Sequence, residues 1–321
     1  MLSALSLQQR CDNNNNNFVP RTITTSRTSS SSFVKLLTTT SISTSTELRS
    51  VSIDTTRTHR FTQVISDVDD TLKSSGGVNV GGVALGGIDV QYGRGDFYPG
   101  VAEFMLQLSL YKLLQQDSNY PANIAILTAR AEEFKAALEI KDGSKLSIAL
   151  RSAGEKAGIE GWGVGPVLYG SVAEWIIQDR KGLRKFTNFE RLMQQDPAGV
   201  IFQYIYVGDV GELDQEAGET MVREYPEVVK AVFLHVVTDQ ADVPPIIPAP
   251  KFINGRPIVF FRTYVGAAVD AVQLGLMNLD GLQSVINAAI EKLSDVPETS
   301  DKWKDIRKDL SRAEILFETS T

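Results

Sequence analysis

The chain of 321 residues contains one cysteine, Cys11, and two histidines, His59 and His235. A single thiol cannot build a disulfide framework or a multi-cysteine zinc site. Two histidines exclude a histidine-cluster metal centre and leave a serine triad only those two bases. Any catalysis must therefore lean on carboxylates, hydroxyls and lysines. No apolar run approaches the roughly 18 residues of a spanning helix, which excludes a transmembrane reading. Residues 1–60 hold seven Lys/Arg against three Asp/Glu, a net of +4, so the overall −7 leaves −11 for residues 61–321. An acidic body of that kind argues against a nucleic-acid footprint.

Residues 1–60 carry 24 Ser or Thr and the run Asn13–Asn17, with no sustained hydrophobic period, and are set apart from the fold. Their Arg-bearing, Ser-rich, acid-poor composition suits a transit peptide to a plastid or mitochondrion. The alternative is a disordered extension without an address, on a cytoplasmic protein. Residues 61–240 read as the main folded domain, and residues 241–321 as a C-terminal strand and helices packing on it.

Within the body, short apolar runs at Phe61–Ser66, Asn123–Thr128, Ile201–Val207 and Ala231–Val237 have the length of buried strands. Helical periods at Pro99–Leu114 and Asn188–Gln195 fall between them, and a helix is expected near Lys145–Ala157 with a turn at Gly161–Gly165. Strand alternating with helix predicts an α/β fold with a parallel sheet covered on both faces. The glycine-rich stretch Ser74–Asp96 predicts a broken hairpin. Beyond Pro244-Pro245, a strand at Ile258–Arg262 precedes helices at Val265–Leu276 and Asp280–Leu293, the second burying Leu282, Val285, Ile286, Ala289, Ile290 and Leu293. A last amphipathic helix with Trp303, Ile306, Leu310 and Ala313 is expected to dock on the core, with membrane-surface contact as the alternative.

Parallel sheets hold ligands beyond the carboxyl ends of their strands. Four clusters fall there. Asp67 and Asp69 follow the first strand two residues apart, on one side of an extended backbone, where their repulsion calls for a cation or a shared proton. Thr128 closes the second strand ahead of residues that can open a helix. A basic cluster, Asp179–Asn188, precedes a helix and offers a lysine to an acidic pocket or a phosphate oxygen. Gly208-Asp209-Val210-Gly211-Glu212-Leu213-Asp214 closes another strand with oxygen ligands suited to Mg²⁺.

In this order the clusters resemble the four motifs of the haloacid dehalogenase (HAD) superfamily. Asp67-Val68-Asp69-Asp70-Thr71-Leu72-Lys73-Ser74-Ser75, Phe97–Val101, Leu127–Arg130 and Val207–Asp214 resemble the catalytic domain of actin-patch-associated phosphatidate phosphatases. The resemblance spans about Phe61 to Val237 and implies a HAD-like Rossmannoid sheet with a flap in place of a large cap. It implies a Mg²⁺-dependent phosphatase that converts phosphatidic acid to diacylglycerol at a membrane surface.

By the same resemblance Asp67 is the nucleophile and Asp69 the acid and base, and an acid at this second position resembles the superfamily's phosphatases rather than its ion pumps. Thr128 and Lys185 hold phosphoryl oxygens, with Lys181 as the alternative lysine one helical turn away. Mg²⁺ would sit among Asp67, the Asp69 carbonyl and Asp209, with Asp214 orienting the metal shell. Val210 departs from the small polar residue common in relatives. Hydrolysis of a soluble metabolite ester or a phosphoprotein is the alternative enzymatic reading, and a non-catalytic scaffold the third. A receiver-type signalling domain is opposed by the order of the motifs, because Asp67 and Asp69 share one strand end and Asp209 comes last.

Overall fold

The computed structural model describes residues 61–77, 79–80, 83–84, 87–113, 120–131, 140, 142–170, 181–211, 213–240 and 243–320. The expected transit segment, residues 1–60, lies outside them.

Nine strands run in chain order as β1 (Phe61–Ser66), β2 (Asn79–Val80), β3 (Val83–Ala84), β4 (Ile124–Ala131), β5 (Val164–Gly170), β6 (Ile201–Asp209), β7 (Val229–His235), β8 (Lys251–Ile253) and β9 (Arg256–Phe261). The helices are α1 (Val101–Ser109), α2 (Lys145–Lys156), α3 (Lys181–Gln194), α4 (Asp214–Glu224), α5 (Tyr264–Gln273), α6 (Leu279–Lys292) and α7 (Asp301–Thr319). Seven strands form one sheet in the order β5-β4-β1-β6-β7-β9-β8, parallel except for β8. The expected hairpin is the antiparallel pair β2 and β3.

Period-two alternation assigns the strand residues to two cores. Val64, Ile126, Ile205, Val207, Phe233 and Val259 point to the face covered by α1, α2, α5 and α6. Ile65, Leu127, Tyr206, Val232, Leu234 and Phe260 point to the face covered by α3 and α4. This is a doubly wound, Rossmann-like α/β architecture. Val101, Phe104, Met105 and Leu108 recur at helical spacing and are buried, so α1 presents one apolar stripe to the sheet. Phe104 meets Phe233 at 5.5 Å and Tyr264 at 5.3 Å between ring centroids. Truncating such a residue to alanine costs about 3–5 kcal/mol.

Several expected bounds shift. β4 runs on to Ala131, so Thr128 does not close the strand. α3 begins at Lys181, which puts much of the basic cluster inside the helix rather than ahead of it. β5 starts within the expected turn at Gly161–Gly165. Ile290 is 40% exposed, whereas the other five apolar residues expected to be buried in that helix are buried. At the C-terminus, β9 extends the sheet beside β7, and α7 docks through Ile306 and Ala313. No helix among the described residues is long and apolar enough to cross a membrane.

Candidate active site

The chain winds outward from β1 through β4 to β5, then returns to the other side of β1 at β6 and continues through β7 to β9. The crevice beyond the carboxyl ends of β1 and β6 is therefore the topological switch point, where open α/β sheets hold their ligands. Asp67 follows β1, and its N–H still pairs with Val207 O at 3.1 Å. Asp209 is the last residue of β6. Asp214 opens α4 after Leu213 turns the chain at φ 61°, and a carboxylate suits that helix end.

Asp67, Asp209 and Asp214 are buried, and one carboxylate oxygen from each lies within 4.8 Å of the others. Lys185 reaches them from α3, one turn before Phe189 and two before Leu192 on a buried stripe. Its Nζ stands 3.1 Å from Asp67 Oδ1 and donates to Asp214 Oδ1. Asp214 Oδ2 accepts the Asp209 N–H at 3.3 Å, and Asp209 Oδ1 accepts the Gly211 N–H. A Cβ on Gly208 would come 2.5 Å from Asp214 Oδ2, so a residue without a side chain is required where the carboxylate crosses β6.

These contacts assemble a buried pocket of three carboxylates, whose donor atoms are all oxygen, and one ammonium. Three carboxylates gathered this closely around one ammonium at low dielectric favour a cation. The fit is to a hard divalent ion with oxygen ligands. Tyr206, wholly buried on β6, has its pKa raised well above the usual phenol value by burial and by Asp214, so its hydroxyl stays neutral.

The site thus unites Asp67, Lys185, Asp209 and Asp214. Asp69 follows a bend at Val68, is half-buried, and lies outside the group of three carboxylates. The expected extended backbone across Asp67 and Asp69 is therefore a bend. Thr128 is buried on β4, two residues beyond Ile126, the partner of Ser66, which sets it level with the loop after β1. The side chain of Lys181 lies outside the described residues, so Lys185 is the lysine seen against Asp67.

Asp70 is the residue that sequence reasoning missed. At φ 56°, it turns its carboxylate to accept Ser75 N at 2.7 Å, Ser75 Oγ at 3.1 Å, Ile88 N at 2.6 Å and Asp89 N at 3.1 Å. It gathers both ends of the glycine-rich stretch, three residues after Asp67. Gly87, at φ 133°, has no Cβ where one would overlap Asp70 Oδ2. A third acid directly after Asp67 and Asp69, followed by a glycine-rich stretch, was the available signal.

Compared with known proteins, the chain matches no family model, no curated protein and no solved structure.

Proposed function

We propose that the protein is a HAD-type, Mg²⁺-dependent phosphomonoester hydrolase working through an aspartyl-phosphate, with phosphatidic acid as its substrate. The observation that carries this reading is Lys185 joined to both Asp67 and Asp214 inside a buried three-carboxylate pocket at the sheet's switch point. Mg²⁺ would be held by Asp67, Asp209 and Asp214, together with the Asp69 carbonyl, and would supply Lewis-acid stabilisation of phosphoryl charge.

In the first half-reaction the Asp67 carboxylate attacks phosphorus and the ester P–O bond breaks, while Asp69 gives its proton to the departing oxygen. In the second, Asp69 takes a proton from water as that water attacks the phosphorus of the aspartyl-phosphate, releasing phosphate and restoring Asp67. Thr128 and Lys185 donate to the non-bridging oxygens. Because Asp214 already holds the Lys185 ammonium, that donor needs little reorganisation when charge develops.

A short hairpin in place of a large inserted cap is the feature that supports a lipid phosphate at a membrane surface. A plastid or mitochondrial setting rests on the composition of residues 1–60. Phosphate release from phosphatidic acid vesicles, beside soluble phosphomonoesters and a phosphopeptide, tests the assignment. Mg²⁺-dependent release from the lipid is expected. Turnover of soluble esters or the phosphopeptide alone would discard the lipid assignment, and no turnover would discard the hydrolase.

A further inference from the structure

The C-terminal helix, expected from sequence only to dock on the core, also touches the flap that borders the site. Arg262, just after β9, is buried and divides its guanidinium among three acceptors. Nε donates to Asp305 Oδ2 on α7 at 3.2 Å, Nη1 to Val236 O at 2.5 Å, and Nη2 to Gln91 Oε1 on the flap at 2.5 Å. Gln91 closes the triangle by donating Nε2 to Asp305 Oδ2 at 3.1 Å. One turn earlier on α7, Lys302 Nζ stands 4.3 Å from the Tyr92 ring centroid.

The same flap limb leads into the site. Ile88 and Asp89 donate their N–H groups to Asp70, three residues after Asp67. A Cβ on Gly211 would lie 3.5 Å from Ile88 Cγ1, so Ile88 packs against the loop carrying Asp209. α7 is itself fixed at the sheet's carboxyl end, where Asp309 accepts Thr263 Oγ1 at 2.7 Å and Arg312 pairs with Asp270.

We infer that α7 is a positioning element for the flap, with Asp305, Arg262 and Gln91 as the latch that fixes residues 87–97 over the Asp209 loop. Two side chains, Arg262 and Asp305, and the Lys302 contact with the Tyr92 ring converge on one short limb whose neighbouring amides are held by Asp70. Its effect on substrate deepens the proposed hydrolase and rests on that reading; the latch itself does not.

The test is amide hydrogen exchange by mass spectrometry on the full chain, comparing the parent with Asp305→Ala, Asp305→Glu and Lys302→Ala. Asp305 and Lys302 are partly exposed, so the fold should tolerate these changes. Expected is about ten-fold faster exchange in peptides within 87–97 for Asp305→Ala, partial return in Asp305→Glu, and unchanged exchange in β1 and β6. Lys302→Ala should show a smaller acceleration in the same peptides. Should Asp305→Ala loosen the whole sheet, Lys302→Ala decides alone. Unchanged exchange within 87–97 when only α7 peptides accelerate would overturn the inference. Kinetics supply the second readout, with KM raised and kcat nearly kept in Asp305→Ala. A parent without phosphatase activity would overturn the hydrolase, whereas the latch stands or falls on the exchange data.

Discussion

Lys185 Nζ lies 3.1 Å from Asp67 Oδ1, and both side chains are almost wholly buried. An ammonium held there serves two ends: it offsets carboxylate repulsion in the resting protein, and it stands ready to donate to an anion that approaches Asp67. Lys185→Met separates these ends. Breaking a buried pair from one side costs about 3–5 kcal/mol, so the variant should melt lower. Added Mg²⁺ should restore more of that loss than it adds to the parent, because a bound cation would take over part of the charge balance. Phosphatase turnover should fall about 10²–10³-fold. Thermal scans with and without Mg²⁺, beside turnover assays, check this; a variant as active as the parent would remove Lys185 from the chemistry.

Asp70 binds the flap, and its loss should be structural before it is chemical. Asp70→Ala strips an acceptor from the N–H groups of Ser75, Ile88 and Asp89. Each buried donor left unsatisfied costs about 1–3 kcal/mol, and only the part-buried Ile88 N–H can relax toward water. Denaturant titration should show a stability loss of a few such increments. A loss below that of a surface substitution would mean the flap is held by other contacts.

Gly208 tests the close approach between β6 and Asp214. Gly208→Ala forces a methyl group into the space of the Asp214 carboxylate, displacing it or the strand. Overpacking of this kind costs about 1–3 kcal/mol. Calorimetric titration should record weaker Mg²⁺ binding than in the parent. Unchanged Mg²⁺ affinity would show that Asp214 takes no part in holding the ion.

His235 sets a pH dependence of stability. Its Nδ1 lies 2.8 Å from Asp70 O and its Nε2 3.1 Å from Arg262 O, and a neutral ring donates to only one of them. Burial first, then the Arg262 charge, hold its pKa below the ordinary histidine value. The unfolded chain, titrating near pH 6.5, thus binds the proton more readily. Stability from this group is complete above about pH 6.5 and declines as pH falls toward the depressed folded value. In His235→Gln the fall in melting temperature from about pH 7 to pH 5 should be shallower than in the parent. Equal slopes would assign the decline to other groups.

The central sheet was legible because β1, β4, β6 and β7 are short segments dominated by apolar residues, a pattern that burial on both faces favours. Edge strands gave no such signal. β5 carries Gly165 and Pro166 and is only half-buried over its first residues, and β8 has three residues. α4 was hidden because Asp214, Glu216 and Gly218 dilute the stripe formed by Ala217, Met221 and Val222. The basic start of α3 read as a loop, although Lys185 and Phe189 share its buried face.

The acidic pair at Asp209 and Asp214 could be found locally, since it closes a strand and opens a helix, whereas Lys185 was preferred to Lys181 only through the resemblance. The Arg262, Gln91 and Asp305 triangle could not, because it joins residues far apart in the chain, and for Asp70 only the third acid ahead of a glycine-rich stretch gave a signal. Only the three-dimensional closure of the sheet's carboxyl end reveals them.

The most direct test of the aspartyl-phosphate mechanism is to quench turnover of phosphatidic acid and treat the protein with hydroxylamine, which converts an acyl phosphate to a hydroxamate. Peptide mass spectrometry then locates the label. The expected result is a hydroxamate at Asp67, dependent on Mg²⁺ and substrate and absent in Asp67→Asn, which should also release no phosphate. Phosphate release by Asp67→Asn at the parent's rate would contradict the assignment of Asp67 as nucleophile.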